Sequence, residues 1–244
     1  MPVGVFIDSG SVLLGGLLGA LVGKYIPERV RTGLTLVLGI CSMAMGIFYI
    51  VKANTLPVVV LSIILGIALG ELVFLEKGIA AGIGKISAPI SKLMKTDVQQ
   101  GGDAFMNKFV AITVLFCASG TGIFGAIEAG MSGDNTVLIT KSILDFVTAT
   151  TFAATLGPLV AGICVPQCLL LLLLFFSAGG LYPHTTEFMR ADFTACGGVI
   201  MLATGFRVNE IKTFPTANML PAMILVMPIS RLWADVIVPL LAQR

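Results

Sequence analysis

Phe109 to Ile127, FVAITVLFCASGTGIFGAI, carries no charged residue and is long enough to cross a bilayer, because a spanning helix needs about 20 apolar residues. Comparable runs recur along the chain, and none has the alternating segments of about ten residues that mark a membrane barrel. Lipid offers no hydrogen bonds to the backbone, so such runs must close their own hydrogen bonds as helices. Composition agrees: 57% of the residues are hydrophobic and 11% charged, and the mean hydropathy is +1.01, outside the range of soluble domains. The expected fold class is therefore an all-α polytopic integral membrane protein.

Apolar windows give about eight spans: Val3 to Gly23, Gly33 to Val51, Leu56 to Leu72, Phe109 to Ile127, Leu138 to Ile163, Gln167 to Tyr182, Phe193 to Phe206, and Ala217 to Leu241. The seventh is short and the eighth contains Arg231 and Asp235, so seven spans or a re-entrant segment remain alternatives. Basic residues collect in short cytoplasmic loops. With the amino terminus outside, Lys24, Arg29, Arg31, Lys77, Lys85, Lys92, Lys95, Lys108, Arg207 and Lys212 lie inside, against Lys52, Lys141, Arg190, Arg231 and Arg244 outside. That excess favours this orientation, and an even span count places both termini outside. The start of the chain lacks a basic n-region and bears Asp8, and is taken as a retained first span.

Between the third and fourth spans lies the one extended polar region. Ile79, Ile83, Ile86, Ile90 and Leu93 repeat at spacings of four and three, with Lys85, Lys92 and Lys95 between them. This is the pattern of an amphipathic helix on an anionic lipid surface, with protein packing as the equal alternative. A net charge of +2 argues for no nucleic-acid partner. The five scattered cysteines read as buried thiols, and no cofactor motif or phosphate-binding loop is present.

The two ends of the chain resemble one another. Shifting the first part forward superposes Glu28 on Glu187, Arg31 on Arg190, Thr35 on Thr194, Gly39 on Gly198, Ala44 on Ala203 and Gly46 on Gly205. After a short insertion Asn54-Thr55-Leu56-Pro57 falls on Asn218-Met219-Leu220-Pro221, and Glu71 on Asp235. Spans one to three then match spans six to eight. An odd separation of five makes the copies run in opposite directions, which is the inverted-topology repeat of many secondary transporters. A symmetric bundle built only for stability is the alternative. The expected organisation of the single membrane domain 1–244 is repeat A (1–75), a cytoplasmic loop (76–107), a central hairpin (108–164) and repeat B (165–244).

That hairpin holds most of the residues suited to chemistry. Ser119 and Thr121 sit beside Gly120 and Gly122, a composition for close helix packing or for a broken helix lining a cavity. Gly133-Asp134-Asn135 makes the turn. Asp145 shares a helix face with Ser142, Thr148 and Thr151, a hard-oxygen set suited to a small cation or a polar solute head. Lys141, four residues earlier, is the competing reading, an intrahelical partner that neutralises Asp145. Asp8 and Asp192 read first as helix N-terminal acids, and with Asp134 as acids converging on a cation-attracting vestibule. Glu71 and Asp235 read as paired gates or as helix-end anchors. No residue set has a metal ligand spacing. Gly130-Met131-Ser132-Gly133 has the form GxSG of intramembrane serine nucleophiles, but His184 offers no evident base and no third group presents itself, so an enzyme is not expected.

With PVGVFIDSGSVLLGGLLGA, LFCASGTGIFGAIEAGMSGD, the K-S-x-L-D of Lys141 to Asp145, ATGFR and NMLPA, the chain resembles the YqgA/YdfK-type family of bacterial inner-membrane proteins, a domain of unknown function. Ser119, Gly120, Thr121, Gly122, Gly133, Asp134, Lys141, Ser142 and Asp145 are the matching motif residues. The resemblance implies a polytopic bacterial membrane protein, often labelled a transporter, with no reaction or substrate attached. The expected function is a secondary transporter or channel for a small ion or small polar solute, with membrane lipid around it and small-residue faces that invite a homo-oligomer. A structural or regulatory membrane protein without a transport path is the alternative.

Overall fold

The computed structural model describes residues 1–79, 81–82, 109, 112–117, 119–180 and 182–242. Among the described residues every regular element is helical. The principal helices are α1 (Val3–Val22), α2 (Glu28–Ile50), α3 (Leu56–Leu72), α4 (Gly120–Ser132), α5 (Thr136–Leu156), α6 (Cys164–Gly179), α7 (Glu187–Val208), α8 (Pro221–Leu232) and α9 (Val238–Ala242). Residues 112–117 are helical as well. The expected amphipathic segment of 76–107 lies outside the described residues apart from 76–79 and 81–82.

Among the described residues five stretches are long and apolar enough to cross a membrane: Val3–Val22, Glu28–Ile50, Ile112–Ser132, Thr136–Gly179 and Thr216–Leu240. These five do not match the expected eight spans one for one. α3 is apolar but shorter, and α7 carries Glu187, Arg190, Asp192 and Arg207. Thr136–Gly179 has 44 residues, about 66 Å as continuous helix at 1.5 Å per residue and twice a bilayer's hydrocarbon thickness. It is broken at Gly157, whose φ of 68° ends α5 before a 3₁₀ turn over Gly157–Ile163. This corrects the expected span to Ile163. α2 and α7 also begin earlier than expected, because their first turns hold charged residues that apolar windows leave out.

The chain divides into two compact units. The first comprises Met1–Leu38 and Lys77–Gly180. Within it α1 lies alongside α5 in a parallel register: Gly4, Gly15, Gly19 and Gly23 face Asn135, Phe146, Thr150 and Ala154, each partner 131 positions further on. A Cβ at Gly15 or Gly19 would run into the carbonyl oxygen of Phe146 or Thr150. Removing the side chains lets the two backbones touch, the packing that joins helices where lipid supplies no hydrophobic drive. α4 packs on α6 in the same sense, with Gly122 near Leu171 and Gly130 against Phe175 and Ala178. The turn between α4 and α5 uses Gly133 at φ 78°, a left-handed helix stop whose N–H bonds the Ala129 carbonyl at 3.1 Å.

The second unit comprises Gly39–Glu76 and Leu181–Arg244. Gly39 and Gly46 of α2 meet Gly205 and Gly198 of α7, the order reversed, so these helices cross antiparallel. Likewise Gly66 and Gly70 of α3 meet Ala222 and Asn218. Leu17, Leu18 and Leu21 of α1, Ile47 and Phe48 of α2, and Leu169, Leu173 and Phe176 of α6 are exposed, as lipid-facing side chains are.

Gly19→Ala is expected to lower the midpoint of thermal unfolding in detergent, since overpacking against backbone costs about 1–3 kcal/mol. Gly10→Ala, with nothing within 4 Å of the added carbon, is expected to leave that midpoint unchanged.

Candidate functional site

α1 carries Asp8 between Val5 and Val12, on the helical face buried against its neighbours. α5 presents Lys141 and Asp145 one turn apart on its own buried face, and α6 adds Gln167 in its first turn. All four side chains meet. Lys141 Nζ lies 3.1 Å from Asp8 Oδ2 and also donates to Asp145 Oδ2. Gln167 Nε2 donates to the same two oxygens, at 2.7 Å to Asp8 and 3.0 Å to Asp145. Two donors therefore alternate with two carboxylate oxygens in a closed ring. The Gln167 amide is oriented by this arrangement, since its oxygen turned towards two carboxylates would be repelled.

Asp8 and Gln167 are 0% exposed, Lys141 2% and Asp145 9%. An isolated ion at such a position is costly enough to be neutralised instead, and only paired, hydrogen-bonded charges persist there. Apolar clusters flank the ring on both sides. Val5, Ala126, Ala129, Leu138 and Leu171 form one, and Val12, Phe116, Cys117, Ala149 and Ala153 belong to the other. With both carboxylates ionised the four residues carry a net charge of −1. Two acceptors, Asp8 Oδ1 and Gln167 Oε1, are buried without a hydrogen-bond partner.

The break expected near Ser119 lies against this ring. Ser119 is extended, with ψ 122°, and caps α4, which starts at Gly120. A Cβ on Gly122 would fall 2.9 Å from Lys141 Cε, so that glycine makes room for the lysine stem. Thr121 is buried beside it. The structure thus joins the small-residue bend to the Lys141–Asp145 pair.

Other expected site residues are placed elsewhere. The hydroxyls of Ser142, Thr148 and Thr151 bond the carbonyls of Ile139, Leu144 and Val147 within α5, and Ser142 lines an apolar groove with Phe6, Leu14 and Phe146. Asp134 Oδ1 accepts the Thr136 N–H at 2.9 Å, holding the start of α5, and Asn135 Oδ1 accepts the Gly4 N–H at 2.9 Å, holding the start of α1. Both are turn residues. Asp8 and Asp192 are not N-terminal acids of their own helices; each sits more than a turn inside. Asp192 accepts the Thr55 N–H at 2.6 Å, which caps α3, and the Ser230 hydroxyl at 2.7 Å. The expected vestibule of converging acids gives way to three separate local roles. Glu71 is exposed, and Asp235, in a π turn between α8 and α9, pairs with exposed Arg231 one turn earlier at 3.6 Å.

Sequence reasoning left out Gln167, a lone polar residue ahead of six leucines. The signal was present, because Gln167 stands 159 positions after Asp8, the same shift that superposes Glu28 on Glu187. It also left out Arg207, which pairs with Glu76 at 2.9 Å and donates to Thr216 at 3.3 Å, beside Asn218, whose Oδ1 accepts the Glu76 N–H at 2.6 Å.

Helices of membrane-crossing length around a sequestered ring of charge define a helical membrane protein. The chain belongs to the family described as "Protein of unknown function (DUF554)", whose profile matches residues 3–231. It is 46% identical over 233 residues to "Uncharacterized protein YqgA" of Escherichia coli (strain K12), covering 96% of this chain and 98% of that one. It is 25% identical over 233 residues to "Uncharacterized membrane protein YdfK" of Bacillus subtilis (strain 168), covering 91% and 93%. No solved structure matches.

Lys141→Met leaves the buried Asp145 carboxylate without its cation and is expected to destabilise the protein by about 3–5 kcal/mol, as removal of one member of a buried ion pair does. Adding Asp145→Leu to it is expected to restore much of that loss, read as a recovered thermal midpoint.

Proposed function

We propose that the protein is a secondary transporter or channel for a small ion or small polar solute, multi-pass in the bacterial inner (cytoplasmic) membrane with both termini outside, and that the ring of Asp8, Lys141, Asp145 and Gln167 lies on its path. The observation that carries this reading is the ring itself. Ionisable groups inside spans are expensive, and they mark ion and solute paths more often than packing. Absence of a phosphate-binding loop from the sequence argues for gradient-driven rather than ATP-driven movement.

The reading is supported by signs of an inverted repeat. α2 starts at Glu28 and α7 at Glu187, the two residues that the shift superposes. Adding 159 to one member of a contact and subtracting it from the other turns Gly39–Gly205 into Gly198–Gly46. A Cβ at Gly205 or at Gly198 would lie 2.7 Å from the partner's carbonyl oxygen in each case. The same operation converts Gly46–Leu202 into Gly205–Met43, and both pairs touch. It leaves Asp8–Gln167 and Ser42–Met201 unchanged. Contacts that exchange in this way, between helices that run antiparallel, are what a two-fold relation between opposed copies would produce. Repeats so related let one protein present a midplane site to either side.

A structural or regulatory role without a path is favoured by one observation, the closure of the Ser142, Thr148 and Thr151 hydroxyls onto their own helix. The two readings part in proteoliposomes loaded with a panel of cations and small solutes. The wild type is expected to carry at least one of them, and Asp145→Asn, at equal amounts of folded protein, to lose at least nine-tenths of that flux. No flux across a broad panel would favour the structural role, and unchanged flux in the variant would take Asp145 off the path.

A further inference from the structure

Asp8 and Gln167 each place one polar atom in the ring and leave one over. Asp8 Oδ2 accepts from Gln167 Nε2 at 2.7 Å, and the atoms left over, Asp8 Oδ1 and Gln167 Oε1, are both buried acceptors without a partner. Both oxygens belong to groups already joined by one hydrogen bond, and an acceptor left unpaired in an apolar interior is costly. A carboxylic acid and a primary amide meet differently. The amide N–H donates to one acid oxygen, and the acid O–H donates to the amide oxygen, which closes a cyclic pair.

We infer that the ring holds one exchangeable proton, carried on Asp8 Oδ1 and donated to Gln167 Oε1, and that this proton is the coupling ion of the path. One O–H bond forms at Asp8 as one O–H bond of a hydronium ion breaks and releases water, and no other covalent bond changes. The proton removes both unpaired acceptors at once. It also brings the ring to neutrality, leaving Lys141 and Asp145 as a single ion pair. The groups that face Asp8 are accounted for element by element. α5 contributes Lys141 and Asp145, α6 contributes Gln167, with Cys164 three residues before it and Cys168 next to it, and α4, which also packs on α1, carries Glu128. The 3₁₀ turn Gly157–Ile163 has no titratable side chain. From residues 112–117 the buried Cys117 thiol is within electrostatic reach of Lys141 and Asp145. The role as coupling ion rests on the transport reading above; the presence of the proton does not.

The test is infrared spectroscopy of the full-length protein at neutral pH, joined to thermal unfolding. A buried carboxylic acid C=O band is expected in the wild type, shifted by exchange into D₂O and lost in Asp8→Asn. Because an asparagine amide reproduces the cyclic pair, Asp8→Asn is expected to keep the wild-type unfolding midpoint, whereas Asp145→Asn, which strips Lys141 of its partner, is expected to lower it. The inference is overturned by a wild type with no such band, by a variant pair with the opposite order of stability, or by a midpoint that rises with Na⁺ or K⁺ but not with choline at equal ionic strength. Protein that shows the band yet moves no solute supports the proton site while removing the transport reading.

Discussion

One ammonium group in an apolar interior sets the terms for everything around it. Lys141 sits a turn from Asp145 on the same helix, but that pair alone would leave the lysine's other N–H groups facing hydrocarbon side chains. Asp8 accepts a second of them and Gln167 donates to both carboxylates, and both must come from other helices. Aspartate is short, so Asp8 reaches the lysine only if α1 and α5 nearly touch. The glycines of α1, facing Phe146 and Thr150 backbone at a constant register, permit that approach. Gly122 does the same for the lysine stem from the side of α4. The packing of the first unit is the geometry needed to keep one cation paired away from water.

The second unit answers its polar groups by another route. Asp192 is spent on the first turn of α3 and on Ser230, and Arg207 closes onto Glu76, whose backbone is held in turn by Asn218. These bonds tie chain ends and turns to helices, a structural use of polarity. In the first unit the polar groups instead meet one another, with apolar clusters to either side and two acceptors left over. That difference is why the candidate site is assigned there.

Much of this was legible in the sequence. Leu56–Leu72 was read to the residue, the hairpin centred on Gly133 was evident from its turn chemistry, and Lys141 with Asp145 stood out because charges within apolar runs are rare. What sequence withheld was mostly partnership. Asp8 near a helix start looks like any N-terminal acid until a second helix brings a lysine to it. The hydroxyls at Ser142, Thr148 and Thr151 share a face with Asp145 by periodicity, yet they bond backward to their own carbonyls, a local competition that spacing does not reveal. Gln167 was hidden by its charge-free setting, although extending the repeat one helix towards the amino terminus lands Asp8 on it. Spans two and seven were trimmed because hydropathy discounts Glu28, Arg31 and Arg190, residues that the helices nevertheless include.

The proposed transport function needs segments 1–75 and 165–244, which the shift of 159 positions superposes with Asp8 on Gln167, to run oppositely through the bilayer. The most direct measurement is side-specific thiol labelling in intact cells of two variants made in a background without the native cysteines, Pro27→Cys and Thr186→Cys. These exposed residues directly precede α2 and α7. Opposed copies require that a membrane-impermeant reagent reach one of the two thiols from outside and leave the other unmodified until the membrane is opened. Labelling of both from the same side would contradict the opposed arrangement.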